Sequence, residues 1–351
     1  MTNNENDEPI KHKRRVRYKG SHPKHFKEKY KEHNSQKYPE DVEKIIQSGK
    51  TPVGSHRPIC VTEILDILKP SPGEVGLDAT LGFGGHSVEL LKKIIPGGRL
   101  FAMDVDPVEL ARTEKRLRAM GFSDKELFIE RSNFAGMAKL LVEVVSGFDF
   151  ILADLGISSM QLDNPERGFT FKREGPLDLR LNPQRGQSAS QLIKSLDAKQ
   201  LEIMFYENSD EPYSRLIAQA VFNNRDEINK TTDLANVIAD ALSQESFSDC
   251  NTATTTSIRR VFQALRIEVN AEFYVLEQFL MNLPLCLKSK GRVAILSFHS
   301  GEDNRVREFF KKGIEDGVYS DISPEALRSS VGEQYSNPRS KCAMLRWAVK
   351  K

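Results

Sequence analysis

Residues 75–87, VGLDATLGFGGHS, carry a short apolar run into Asp78, set Gly82, Gly84 and Gly85 within four positions, and open a helical segment at His86. Glycines so closely spaced let bare main chain approach a ligand. Asp104 ends a second apolar run about twenty residues further on, where a carboxylate can accept both hydroxyls of a ribose. This pattern suits a dinucleotide or S-adenosylmethionine, with a purely structural glycine turn as the plain alternative. Spacing favours the methyl donor. A dinucleotide fingerprint sets G-x-G-x-x-G so that a pyrophosphate meets a helix N-terminus. GFGGHS departs from that register, and Asp78 would repel the anion while suiting a cationic amino acid and sulfonium.

A second candidate lies in ILADLGISSMQLD, residues 151–163, where Asp154 leaves an apolar strand, turns through Gly156 and is followed by Ser158, Ser159 and Gln161. Methyl transfer to an exocyclic aromatic amine is difficult because the nitrogen lone pair is delocalised into the ring. A carboxylate or carbonyl that holds the amino hydrogens turns the lone pair toward the methyl group, so the barrier falls through orientation and electrostatics. Asp154 sits where such a group is needed. A carboxylate that only caps the following turn is the alternative.

To bring these residues together, the chain must place several strand ends side by side. From about residue 53, strand-like and helix-like segments alternate. EVGLDAT, RLFAMDVD, LFIERSNF and FDFILADLG read as strands; HSVELLKKII, PVELARTEKRLRAM and AGMAKLLVEVV read as the helices between them. The second helix is expected to start at Asp106 as N-cap with Pro107 in the first position. Strands that are apolar almost throughout are expected in parallel sheets covered on both faces. The fold class is therefore α/β, a doubly wound, Rossmann-like sheet. Between Ser158 and about Thr256 the alternation stops and the chain turns polar and helix-leaning. One long amphipathic helix is expected at 257–283, followed by the strand GRVAILSFHS, the helix GEDNRVREFFKK and the strand KCAMLRWAVK. An insertion leaving the carboxyl end of the fourth strand rises over the sheet edge where such folds bind ligands. The expected organisation is an N-terminal arm (1–50), a first sheet part (51–157), an inserted helical domain (158–256) and a second sheet part (257–351).

Residues 11–38 hold eleven Lys/Arg against two acids and four of the seven histidines, so a chain of net charge +2 carries +9 in this arm. With almost no aliphatic side chains the arm cannot offset its ordering entropy, and it is expected to be flexible in isolation. A polyanion partner is expected; a solubilising tail is the alternative. Cys60, Cys250, Cys286 and Cys342 lie far apart without a C-x-x-C pair, so neither a metal site nor a disulfide framework is expected. No apolar run is long enough for a membrane span, and no signal-peptide core stands at the start. A soluble, cytoplasmic protein with no membrane partner is expected.

Seven segments together resemble a known family: HRPI (56–59), DATLGFGGHS (78–87), AMDVDP (102–107), DLGISSMQLDNPERGFTFKREGPLDLRLNP (154–183), RVFQALRIEVNAE (260–272), SFHSGED (297–303) and NPRSKCAMLR (337–346). In this order they are similar to the motifs of the bacterial 16S ribosomal RNA cytosine-N4 methyltransferases, over residues 53–349. The resemblance implies a class I methyltransferase sheet with an inserted helical substrate-recognition domain. It also implies methylation of the N4 amine of one cytidine in the decoding region, with S-adenosylmethionine as donor and 16S rRNA in the small ribosomal subunit or its precursor as partner. By motif position, donor contacts fall on Gly84, Gly85, His86, Asp104, Phe134, Asp154 and Gln161, beside Asp78 and Gly82 of the loop. No activating base is implied, since water can take the proton that is shed. The chain departs from the pattern in YENSDEPYSRLI (206–217), in Gly301 where leucine is common, and in its extra arm. The oligomeric state stays open between monomer and homodimer.

Further residues carry two readings each. His299, at a strand's carboxyl end, either reaches the base or donor or caps the next helix, and with Ser158 and Asp154 it completes the candidate catalytic set. Arg167, Arg173, Arg180 and Arg185 suit phosphates unless Glu166, Glu174 and Asp178 neutralise them. Phe169 and Phe171 either stack on an unpaired base or pack the insertion. Arg259, Arg260 and Arg266 are expected on a solvated helix face, and His56 in a turn. An amino methyltransferase acting on DNA or a small molecule, and a non-catalytic RNA-binding protein, are the competing functions.

Overall fold

The computed structural model describes residues 58–243 and 250–351. Strand β1 (Val75–Asp78) lies between β2 (Arg99–Asp104) and β4 (Phe148–Asp154), parallel to both, and β3 (Leu127–Arg131) extends the sheet beyond β2. Side chains alternate between two covering layers. Leu100 and Ala102 of β2 enter one layer with Leu91, Phe150 and Leu152; Phe101 and Met103 enter the other with Phe148, Ile151 and Phe279. Both faces being covered, the strands read as unbroken apolar runs. Gly76 is required by this packing, because a Cβ there would lie 2.1 Å from the Phe150 ring.

The full order is β3-β2-β1-β4-β5-β7-β6, with β5 (Leu287–Ser297) parallel to β4 and β7 (Met344–Lys350) antiparallel between β5 and β6 (Tyr319–Ile322). Chain order reverses between β1 and β4, which makes their carboxyl ends the switch point where open α/β sheets bind ligands. Helix α1 (Val61–Leu68) precedes the sheet; α2 (Gly85–Ile94) and α3 (Pro107–Ala119) make the first two crossovers. As expected, α3 is capped by Asp106, whose carboxylate accepts the Val108 and Glu109 N–H groups, with Pro107 leading. The expected third crossover helix is a 3-10 helix, Phe134–Val142, capped by Asn133 and carrying Gly136, which weakens an α-helical interior.

Between β4 and β5 come α4 (Ser159–Asp163), α5 (Ala189–Ser195), α6 (Ala198–Ser209), α7 (Ser214–Asn223), α8 (Thr231–Leu242), α9 (Cys250–Asn270) and α10 (Glu272–Cys286). The single long helix expected at 257–283 is thus two, broken at Ala271 in the left-handed conformation (φ 49°). The break lets one apolar run serve two cores. Ile258, Val261, Phe262 and Leu265 pack with Phe205, Ile217 and Leu234 in a helical cluster of its own, whereas Leu276 and Phe279 join the sheet. The helical cluster therefore reaches past residue 256. Helix α11 (Ser300–Glu315) and the short α12 (Val331–Ser336) follow β5, and the four-residue edge strand β6, half of it exposed, had no periodic signal to announce it. The basic arm, His56 and the Cys250 side chain lie outside the described residues. Among the described residues, no helix is long and apolar enough to cross a membrane.

Candidate active site

At the carboxyl ends of β1, β2 and β4 the chain encloses a cavity of about 410 Å³, floored by residues 79–86 and 154–162 and closed by residues of α9, α10, α11 and the segment 337–342. Its size is that of a small-molecule site. The glycine loop is held by acids. Asp104, at the end of β2, accepts the Gly82 N–H on Oδ2 (2.7 Å) and the Asp106 N–H on Oδ1 (2.9 Å). Burial pushes its carboxyl up to about 6, against the pull of those two N–H groups. Gly84 adopts φ +71°, and a Cβ on Gly85 would meet Pro58 Cγ at 2.9 Å, so a side chain there would have to push the Pro58 ring aside.

Asp154, 30% exposed at the tip of β4, faces His86 Nδ1 at 3.5 Å, while His86 Nε2 lies 3.0 Å from the Ile59 carbonyl oxygen. With Nε2–H donated to that carbonyl, the Nδ1 contact is attractive only when one proton lies between ring and carboxylate. Burial raises the Asp154 carboxyl to about 6, with His86 opposing and Asp78 and Glu302 adding to the rise. Thr80 Oγ1 accepts the Asp154 N–H at 2.6 Å and fixes the strand end. Past Gly156 (φ 92°), Ser158 and Gln161 form a capping box on α4. Gln161 Nε2 also donates to Asp106 Oδ2 (2.8 Å), which takes Arg167 Nη1 as well (2.7 Å). Phe134 stands edge-on to Phe279 at 5.2 Å and lines the cavity.

The sequence profile of the MraW methylase family matches residues 54–351. The chain is 50% identical over 349 residues to ribosomal RNA small subunit methyltransferase H 1 of Lachnoclostridium phytofermentans, covering 99% of this chain and 95% of that protein. The chain belongs to the MraW methylase family. Another relative, methyltransferase H 2 of Alkaliphilus metalliredigens, is 50% identical over 344 residues (97% of this chain, 98% of its own). Methyltransferase H of Crocosphaera subtropica is 38% identical over 297 residues (84% and 89%). The expectation of an S-adenosylmethionine-dependent methyltransferase is met by membership in this family.

In this MraW-family cavity, Gly82, Gly84, Gly85, His86, Asp104, Phe134, Asp154, Ser158 and Gln161 all line the wall. Five expectations need correction. Asp78 is buried under the loop, accepting Ser87 Oγ (2.6 Å) and the Thr80 N–H (3.1 Å), and takes no part in the wall. His299 occupies the N-cap position of α11, but its ring makes no cap bond and packs behind the wall against Phe273 and Glu302. Phe169 is buried in the helical core, where no base can stack on it. Arg167, 11% exposed, spends its guanidinium on Asp106 and on the Arg180 and Leu181 carbonyl oxygens. Arg180 is likewise engaged, side-on, by Asp178 and by the Gly186 carbonyl. Arg185 is exposed, Arg173 half-buried, and neither pairs with an acid among the described residues. The wall also holds Arg266, Asn270, Glu272 and Glu302, which the sequence reading did not assign to the site. The motif RVFQALRIEVNAE already contained three of them, at spacings that mixed core, solvent and cavity faces.

Proposed function

We propose that the chain methylates the exocyclic N4 amine of a cytidine in the decoding region of 16S rRNA, on the small ribosomal subunit or its precursor. The observation that carries this reading is Asp154: an acid at the tip of β4, beside the glycine loop, in the wall of the cavity that Asp104 also lines. The names of the relatives support ribosomal RNA of the small subunit as the substrate.

The residues present fit the donor. In this reading the backbone of Gly82 to Gly85 and His86 receives the amino-acid part, Asp104 the ribose hydroxyls and Phe134 the adenine, with Gln161 holding the rim. S-adenosylmethionine supplies an electrophilic methyl group on a cationic sulfur, so the protein must present an amine with its lone pair directed and let one proton leave. Asp154 accepts an N4–H and turns the lone pair out of conjugation with the ring. The proton departs to water. Arg173 and Arg185, at the start of the helical insertion, are the remaining phosphate contacts. The basic arm adds a counterion-releasing tether to the RNA.

The test is methyl incorporation by the purified protein into small subunits, free nucleosides and duplex DNA, with the modified base identified by mass spectrometry. Labelling of N4-methylcytidine in small subunits is expected; labelling of duplex DNA or nucleosides instead refutes the reading. Removing residues 1–38 is expected to weaken small-subunit binding mainly at low salt and to flatten the salt dependence in a filter-binding titration. An unchanged salt slope would leave the arm as a solubilising tail. Asp104 sets a pH dependence. Its raised carboxyl is anionic above about pH 6 and protonated below, so the affinity for S-adenosylhomocysteine, a probe without charge on sulfur, should fall by up to about tenfold per unit below pH 6. Calorimetry that finds equal affinity at pH 5 and 7.5 removes Asp104 from the ribose.

A further inference from the structure

Arg266, near the end of α9, and Glu272, at the start of α10, face each other across the left-handed Ala271. Arg266 donates from Nε to Oε1 and from Nη2 to Oε2, both at 2.8 Å, with the two side chains only 14% and 13% exposed. Burial disfavours the guanidinium charge, but the pairing with Glu272 more than offsets this and keeps it protonated. Glu302 of α11 stands nearby: burial alone would raise it, but His299, Arg266 and the Phe298 N–H outweigh burial and keep it anionic. All three side chains line the cavity that holds Asp154.

Glu272 occupies one edge of the guanidinium. The other edge, Nη1 with the second hydrogen of Nη2, has no acceptor among the described residues. A buried ion pair adds little stability over apolar packing of the same volume, and the free edge of the guanidinium opens on the cavity, where a ligand can meet it. The pair is therefore a held fork that presents two parallel N–H groups to whatever occupies the cavity.

We propose that Arg266 is a specificity-determining residue that reads the N3 and O2 acceptors of the target cytosine while Asp154 holds its N4 amine. This rests on the cytidine reading above. Cytosine alone among the four bases offers an amine beside two adjacent acceptors on one edge. Uracil and guanine set a ring N–H against the fork, and adenine has no carbonyl next to its ring nitrogen. Glu272 fixes the plane of the fork and keeps the pair neutral, which limits the drain of electron density from the amine that must attack.

The experiment compares wild type, Arg266→Gln and Arg266→Lys on small subunits carrying cytidine or 3-deazacytidine at the target position; the analogue replaces N3 with C–H. Wild type is expected to lose about 10- to 100-fold in kcat/KM on the analogue. Arg266→Gln should lose a similar factor or more on cytidine yet discriminate the two bases by less than about threefold, the mark of a coupled pair. Arg266→Lys keeps the charge but not the paired donors, and should recover less than about tenfold. S-adenosylhomocysteine affinity should stay within about threefold in all three proteins. An equal analogue penalty in wild type and Arg266→Gln overturns the proposal. So does a wild type indifferent to the analogue beside a slow Arg266→Gln, the pattern of a phosphate contact, and so does loss of donor affinity in both variants, the pattern of a structural residue. A wild type that methylates no cytidine of the small subunit refutes the cytidine reading itself.

Discussion

Replacing Asp154 by Asn should lower turnover at saturating donor by about 10² or more, the loss typical of a preorganised electrostatic group, while donor affinity changes far less. The substitution keeps the shape and the Thr80-anchored backbone but exchanges a carboxylate for a weaker acceptor. It also leaves His86 Nδ1 facing an amide in place of the acid now 3.5 Å away. The pH profile separates this role from a structural one. Burial has raised the Asp154 carboxyl from its ordinary value to about 6, so the effective acceptor forms as pH rises through 6. Wild-type turnover should climb through that range to a plateau, with about one-tenth of the sites ionised at pH 5, and the Asn variant should lack this limb. Single-turnover assays across pH 5–8 make the comparison. Equal turnover in wild type and variant would remove Asp154 from the reaction.

The largest stability loss should come from Arg167→Ala. Asp106 is fully buried, and its Oδ2 is shared between Arg167 Nη1 (2.7 Å) and Gln161 Nε2 (2.8 Å). Removing the guanidinium strands a buried carboxylate and frees the Arg180 and Leu181 carbonyl oxygens that Arg167 now holds. Breaking a buried pair from one side costs about 3 kcal/mol or more, a large share of the stability of an ordinary domain. The double variant Asp106→Asn with Arg167→Met should recover part of it, because Asn still caps α3 and no charge is left unpaired, while its Nδ2 now meets the Gln161 Nε2 donor. Urea unfolding of the four proteins closes the cycle; a cost below about 1 kcal/mol for Arg167→Ala would show that the clasp is energetically idle. Because Asp106 follows Asp104 and Arg167 lies at the base of the insertion, the same variant tests how tightly the two lobes are joined.

The parts of the site that could be read from the sequence are those set by local chain order. Asp104 and Asp154 stand at strand ends, and the glycines sit between a strand and a helix, so spacing alone placed them. What could not be read was partnership over distance. Arg167 looked like a phosphate ligand as one of a run of arginines, and the acids that could have neutralised it were sought nearby at Glu166, Glu174 and Asp178, yet its partner is Asp106, 61 residues earlier. Asp78 carries the right residue type at the right strand end, but Ser87 and Thr80 turn its carboxylate beneath the loop. Arg266 illustrates the limit of amphipathic reasoning: a helix described as core on one side and solvent on the other has no category for a side turned into a cavity. The break at Ala271 was equally hidden, since apolar residues continue at helical spacing through it. Its cause is tertiary, two cores that each claim part of one run.

The cavity draws its wall from Pro58 and Ile59 near one end of the chain and from Asn337, Arg339 and Cys342 near the other, and β7 threads between β5 and β6 only after both are made. A stretch of chain that lacks either the segment 337–342 or β7 carries neither the whole wall nor the whole sheet, so the pocket forms in one step with the closing of the sheet and not piece by piece.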